Sequence, residues 1–141
     1  METRGLVNVY DGADLLCTIY RQYDCYPTGM GKDILQALTG RNITNGYSGD
    51  GAGQFNGAGC LAAFLIGALK QGKVGNVYML KPGSTNQGEE FRYTIRVQEA
   101  GQPILLEIED GEGYPIWNGI MDHLKPEEVE KQWADHLNET P

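Results

Sequence analysis

Cationic, aromatic and glycine residues crowd one stretch of this chain, Tyr20-Arg21-Gln22-Tyr23-Asp24-Cys25-Tyr26-Pro27-Thr28-Gly29-Met30-Gly31-Lys32-Asp33. Tyr23 and Tyr26, with Tyr20, offer flat faces on which a base can stack and hydroxyls that bond polar edges. Gly29 and Gly31 can expose backbone N–H groups at the start of a helix beside Lys32, an arrangement that cradles a phosphate. Arg21 adds a guanidinium fork for a carboxylate or phosphate. The plain alternative is a small aromatic core around a glycine-rich turn with a solvated lysine. The spacing is not that of a Walker A loop, which excludes that route to nucleotide hydrolysis.

A second pair of cations, Arg92 and Arg96, falls on one side of a strand that alternates Phe91, Tyr93, Ile95 and Val97 with Arg92, Thr94 and Arg96. Two forks on one face suit an anion clamp, unless Glu90 or the acidic C-terminal part of the chain pairs with them. Between the two groups, residues 45–59 hold six glycines together with Asn45, Ser48, Asp50, Gln54 and Asn56. A polar loop of that length inside a compact domain marks a binding loop or lid.

Candidates for covalent or metal chemistry are few. Cys60 stands at a helix start, where an exposed thiol is activated, but the only histidines, His123 and His136, lie in the acidic C-terminal part. A small buried core residue is the expected role of Cys60. No zinc or calcium ligand spacing is present, and Glu109-Asp110-Gly111-Glu112 lacks the pattern of a calcium loop. No metal, no cofactor and no enzymatic turnover are expected.

The elements that must position these groups follow from periodicity. Cys60 to Leu69 carries no charge and no hydroxyl, so a helix there is apolar on every side and is expected to be buried. It is about half the length of a membrane span. Asn56 is the expected N-cap, Lys70 suits the negative end of the helix dipole, and Gly72 suits the position after its last turn. Strands are expected at residues 4–10 and 15–22, joined by the Asp11-Gly12-Ala13-Asp14 turn, with Val7 and Val9 sharing a face with Leu15, Cys17 and Ile19. A helix bearing Ile34, Leu35 and Leu38, with Thr28 as a candidate N-cap, stops at Gly40. Further strands are expected at 76–81, 90–98, 103–109 and 114–117.

Residues 126–137 read as an acidic helix whose Val129, Trp133 and Leu137 form a narrow stripe that must dock on the body or on another subunit. The order β-β-α-α-β-β-β-β predicts an α+β domain over residues 1–121, an antiparallel sheet with two helices on one face, followed by an acidic helical tail at 122–141.

Charge and cysteine usage narrow the function classes. The 141 residues carry a formal net charge of −8, and residues 106–141 hold all of it: two Lys/Arg against ten Asp/Glu, beside nine of each in residues 1–105. The body can therefore hold a small anion, but no basic stripe supports duplex binding. Three cysteines, Cys17, Cys25 and Cys60, and no basic-apolar leader after Met1 suggest a reduced, cytoplasmic protein with no membrane span.

The passage from Tyr20 to Gly31 resembles the Tyr-Arg-Gln-x-Asp-Gly-Tyr-Pro-x-Gly-x-Gly signature of a family of small phage and bacterial proteins, with Cys25 standing where the signature has glycine. Asn45-Gly46, Phe55-Asn56-Gly57-Ala58-Gly59, Pro82-Gly83-Ser84-Thr85 and Gly88-Glu89-Glu90 extend the likeness over about residues 1–100. The resemblance brings no activity; its phage association implies an accessory protein acting against a host system.

Together these features lead to the expectation of a non-enzymatic, homo-oligomeric protein that captures a small phosphorylated, nucleotide-like ligand. Its candidate ligand-binding residues are Arg21, Tyr23, Tyr26, Gly29, Gly31, Lys32, Asn45, Asn56, Arg92 and Arg96. A protein-interaction module acting through the acidic tail is the alternative, and a small enzyme using Cys60 or Asp24 a further one.

Overall fold

The computed structural model describes residues 2–46 and 53–139, so the expected contributions of Ser48 and Asp50 lie outside the described residues. The Asp11–Asp14 turn does join two antiparallel strands, β1 (Gly5–Asp11) and β2 (Asp14–Arg21). Val7 pairs with Ile19 and Val9 with Cys17 on the buried face, as alternation predicts, but a bulge after Val9 sets Leu15 opposite Tyr10.

After β2 the chain makes a tight π-type turn, Pro27–Gly31, that runs directly into α1 (Lys32–Leu38). A two-residue parallel pair, β3 (Ile43–Thr44) with β4 (Phe55–Asn56), then precedes α2 (Gly57–Lys70). Strands β5 (Val77–Leu80), β6 (Phe91–Val97), β7 (Leu105–Asp110) and β8 (Pro115–Ile120) complete a six-stranded sheet in the order β5-β2-β1-β6-β7-β8. α3 (Pro126–Glu139) closes the chain.

The molecule is α+β with a sheet that is antiparallel except at its centre, where β1 and β6 run parallel. That exception has a cause. β5 sits outside β2, so the link from Lys81 to Glu90 must cross β2 and β1 before β6 can join. It crosses on the face away from the helices: the Gly83 N–H donates to the Thr18 hydroxyl at 2.9 Å, and the Glu90 N–H to the Arg4 carbonyl at 2.8 Å. Leu6 and Thr18 are consequently buried although they point away from the main core.

The main core lies on the other face, where Val7, Val9, Ile19, Tyr93, Ile95, Leu106 and Ile108 meet Met30, Ile34 and Leu38, and Leu61 and Leu65 of α2. Leu124 and Val129 belong to the same core, so the acidic tail docks on its own body. Trp133 stands edge-on to Phe91 with ring centroids 4.9 Å apart, and its indole N–H donates to Asp110 at 3.3 Å.

α2 departs from expectation. It buries Ala58, Leu61, Ala62, Leu65 and Leu69, but Cys60, Ala63, Phe64, Gly67 and Ala68 are exposed. The sheet lies beneath the helix and α1 beside it, and no described element covers its outer side. Cys60 is thus a surface thiol, not the small core residue its apolar surroundings in sequence suggested. None of the described helices is long and apolar enough to cross a membrane.

Candidate functional site

The Tyr-Arg-Gln passage folds as a closed staple. Arg21, nearly buried, donates through Nη1 to Asp33 at 2.7 Å and through Nε to the Tyr23 carbonyl at 2.8 Å, with Nη2 3.4 Å from the Asp24 carbonyl. Its fork is spent on holding residues 23–24 against α1. Cys25 is buried beneath this loop, where a Cβ on Gly5 would come within 2.6 Å of its own Cβ; burial pushes its thiol up to about 12. The Tyr93 hydroxyl donates to the Cys25 carbonyl at 2.6 Å, and burial raises that phenol well above its usual range.

Tyr26 donates its hydroxyl to Asp24 at 3.1 Å, which raises its pKa, while Tyr23 stays exposed with no ring partner among the described residues. Tyr20 leans on Tyr78, with ring centroids 6.0 Å apart.

The glycine cradle is filled by the chain itself. The Gly29 N–H donates to the Tyr26 carbonyl at 2.8 Å, the Met30 N–H to the Asp24 carbonyl at 3.0 Å, and Gly31 is buried. Thr28 does not cap α1; its N–H and hydroxyl both donate to the Glu130 carboxylate of α3, at 3.0 and 2.9 Å. Lys32 pairs with Glu127 at 2.9 Å, and this hydrogen bond holds the Glu127 carboxyl below its ordinary value. Two carboxylates of the tail therefore occupy the positions expected of a bound anion. Glycine at 29 serves packing, since a Cβ there would press on the Asp24 carbonyl oxygen.

Arg92 and Arg96 lie on the sheet face away from the main core, and each has an anion already. Arg92 pairs with Glu109 at 2.7 Å and Glu89 at 3.1 Å; Arg96 pairs with Glu107 at 2.5 Å and sits 4.6 Å from the Tyr10 ring centre. Register explains the first pair, because Arg92 stands opposite Glu109. The expected partner, Glu90, is not the one used; its neighbour Glu89 is. Burial pushes Glu89 upward, but the N–H groups of Glu89 and Gln87 and the Arg92 guanidinium outweigh it and leave the carboxyl below its ordinary value.

Asn56, paired with Thr44, lies at the start of α2 beside the segment that carries Asn45. The Asn56 side chain accepts from the Gly46 N–H at 2.8 Å and makes no cap to α2, so the first turn of that helix lacks a side-chain cap. Gly57 and Ala58 of this uncapped turn form one wall of a groove of about 410 Å³, together with Ile43, Thr44 and Asn45. The opposite wall is Asp11, Val97, Gln98, Glu99 and Ala100.

Sequence reasoning missed that second wall, because only the topology brings the first hairpin turn to the end of β6: the Gly12 N–H donates to the Val97 carbonyl at 3.0 Å. The ten expected ligand residues thus fall into three places, the staple under α3, the groove at α2, and the outer face of β6. They do not converge on one site.

For other chemistry the arrangement offers little. No group of three His, Cys, Asp or Glu among the described residues could hold a metal ion. His136 stacks on Tyr114 with ring centroids 3.8 Å apart, and neither histidine lines the groove beside Cys60's helix turn. Comparison of the chain with protein-family models, with curated proteins and with solved structures finds no match.

Proposed function

We propose that this protein is a non-enzymatic binding protein that captures a small phosphorylated, nucleotide-like ligand in the groove at the start of α2. The observation that carries the reading is the uncapped first turn of a 14-residue helix, walled by Gly57 and Ala58, opening on a groove of about 410 Å³. That volume lies in the range of small-molecule sites. Free N–H groups at the positive end of a helix take a phosphate. Across the groove, Asp11 and Glu99 suit the hydroxyls of a sugar, and Gln98 there and Asn45 on the near wall suit the polar edge of a base.

Ile43, Val97 and Ala58 supply an apolar floor. The likeness to small phage proteins supports sequestration as the purpose, the ligand being a signalling nucleotide of the host.

A thermal-shift screen against linear and cyclic nucleotides and ADP-ribose derivatives tests this. Ligand at about 100 times its dissociation constant adds about 2.7 kcal/mol, and heating should release it with unchanged mass. Asn45→Ala and Glu99→Gln should each weaken binding at least about tenfold, a loss of about 1.4 kcal/mol, and leave the unliganded melting temperature in place. Loss of binding in Arg92→Ala or Arg96→Ala with both groove variants unaffected would move the site to the outer face of β6. No shift across the panel would overturn small-ligand capture.

A further inference from the structure

We infer that the outer face of β6, β7 and β8 binds a neutral saccharide, with two linked sugar rings lying across the strands over Glu107 and Asn118. The register sets polar side chains in one row: Thr18, Asn8, Thr94, Glu107 and Asn118 stand opposite one another on β2, β1, β6, β7 and β8. The crossing of residues 81–90 closes the first part of this row, since the Gly83 N–H donates to the Thr18 hydroxyl, and that hydroxyl to Asn8 at 2.6 Å. From Thr94 to Asn118 the row is open. Neighbouring strands lie about 4.8 Å apart, so the open part extends over about 10 Å.

Two depressions lie side by side along it. One, of about 250 Å³, takes in Thr94, Glu109 and Pro115; the other, of about 270 Å³, takes in Leu105, Leu106 and Gly119. Arg96, Glu107 and Asn118 border both. The first is polar and the second largely apolar, and a pyranose is likewise polar at its rim and apolar on its ring faces. Small-molecule sites combine an apolar surface with a few oriented polar groups in this way.

The charge pattern selects a neutral ligand. Arg92 and Arg96 are paired with Glu109 and Glu107, so an anion brought to this face meets carboxylates. An apolar partner would strip water from both ion pairs and put nothing in its place. Hydroxyls replace that water in kind. Arg96 spends only Nε on Glu107, and the Thr94 hydroxyl and the Asn118 amide have no hydrogen-bond partner among the described residues. Vicinal hydroxyls can donate to the Glu107 carboxylate while accepting from Arg96 and Asn118, and the ion pair stays whole.

These groups are held ready. The Arg96 guanidinium lies 4.6 Å from the Tyr10 ring centre, and strands give a more precise platform than loops. The site shares no residue with the groove at the start of α2, and the inference stands whether or not that groove binds a nucleotide.

Heteronuclear NMR on the full chain tests this, by titration with neutral di- and trisaccharides of glucose, galactose, mannose and N-acetylglucosamine. At least one of them should shift the backbone amides of residues 94–96, 105–109 and 115–119 together with the Asn118 side-chain amide. Glu107→Gln and Asn118→Ala should each weaken that sugar at least about tenfold, with the spectrum outside these strands unchanged. Inorganic phosphate and adenosine are titrated in parallel, the second to separate a saccharide from the ribose of a nucleoside. No shift with any sugar, sugar shifts confined to the groove at α2, binding that survives both substitutions, or shifts on this face with phosphate or adenosine but no saccharide would each overturn the inference.

Discussion

Gly29 shows how one residue type can serve two opposite purposes. In sequence it looks like an N–H exposed to a phosphate; in the fold its N–H is taken by Tyr26 and its missing side chain makes room for the Asp24 carbonyl. Asp24 itself adopts φ 61°, so this turn has no slack to give. Gly29→Ala should cost about 3 kcal/mol, measured by urea unfolding. It should do so with or without ligand. An unchanged unfolding midpoint would return Gly29 to the list of residues that meet a bound anion.

At the scale of elements, α3 is the segment whose role the fold redefines. Its apolar stripe is used internally: Val129 is buried, Trp133 packs on Phe91, and the Asp110 carboxylate gathers the Trp133 indole with the N–H groups of Glu112 and Tyr114, at 3.3, 3.0 and 2.9 Å. Trp133→Ala removes the ring and one of the three donors that satisfy Asp110. A loss of about 2–3 kcal/mol is expected, against less than about 0.5 kcal/mol for Leu137→Ala at the exposed end of the stripe. Equal effects of the two substitutions would mean that the helix does not dock through Trp133.

The whole molecule carries opposite pH dependences at its two extremes. Glu89 and Glu127 have carboxyls held below their ordinary values in the folded state. Their contribution is present above the unfolded carboxylate value and is lost as the pH falls through the lowered values. Cys25, raised to about 12, and Tyr93, raised well above its usual range, keep their protons in the fold. Their contribution is complete below the unfolded thiol value of about 8.5 and is lost as the pH rises through the raised ones. Chemical denaturation across pH should therefore show a plateau bounded by acid and alkaline declines, and Cys25→Ser should soften the thiol part of the alkaline one.

The first hairpin, the helix over 57–70, the alternating strand β6 and the amphipathic tail were all legible in the chain, because each is dictated by local periodicity and turn chemistry. So was the α+β class, which follows from the order of those elements. The centre of the sheet was not: β1 and β6 lie about 80 residues apart, and only the crossing of residues 81–90 over Thr18 makes them parallel neighbours. The state of the charges was equally illegible. Nothing in the spacing of Arg92, Arg96 or Lys32 announces Glu109, Glu107 or Glu127, which reach them through strand register and the docking of α3. Asn45 was found by type, but the groove wall that faces it, Asp11 with Gln98 and Glu99, was not.

The sequence by itself determined which segments fold and which of their faces are apolar, since these depend on neighbours a few residues away. Tertiary structure alone decided which apolar face stayed exposed on α2 and which carboxylates met Arg21, Lys32, Arg92 and Arg96, because burial and ion pairing depend on what arrives from distant parts of the chain.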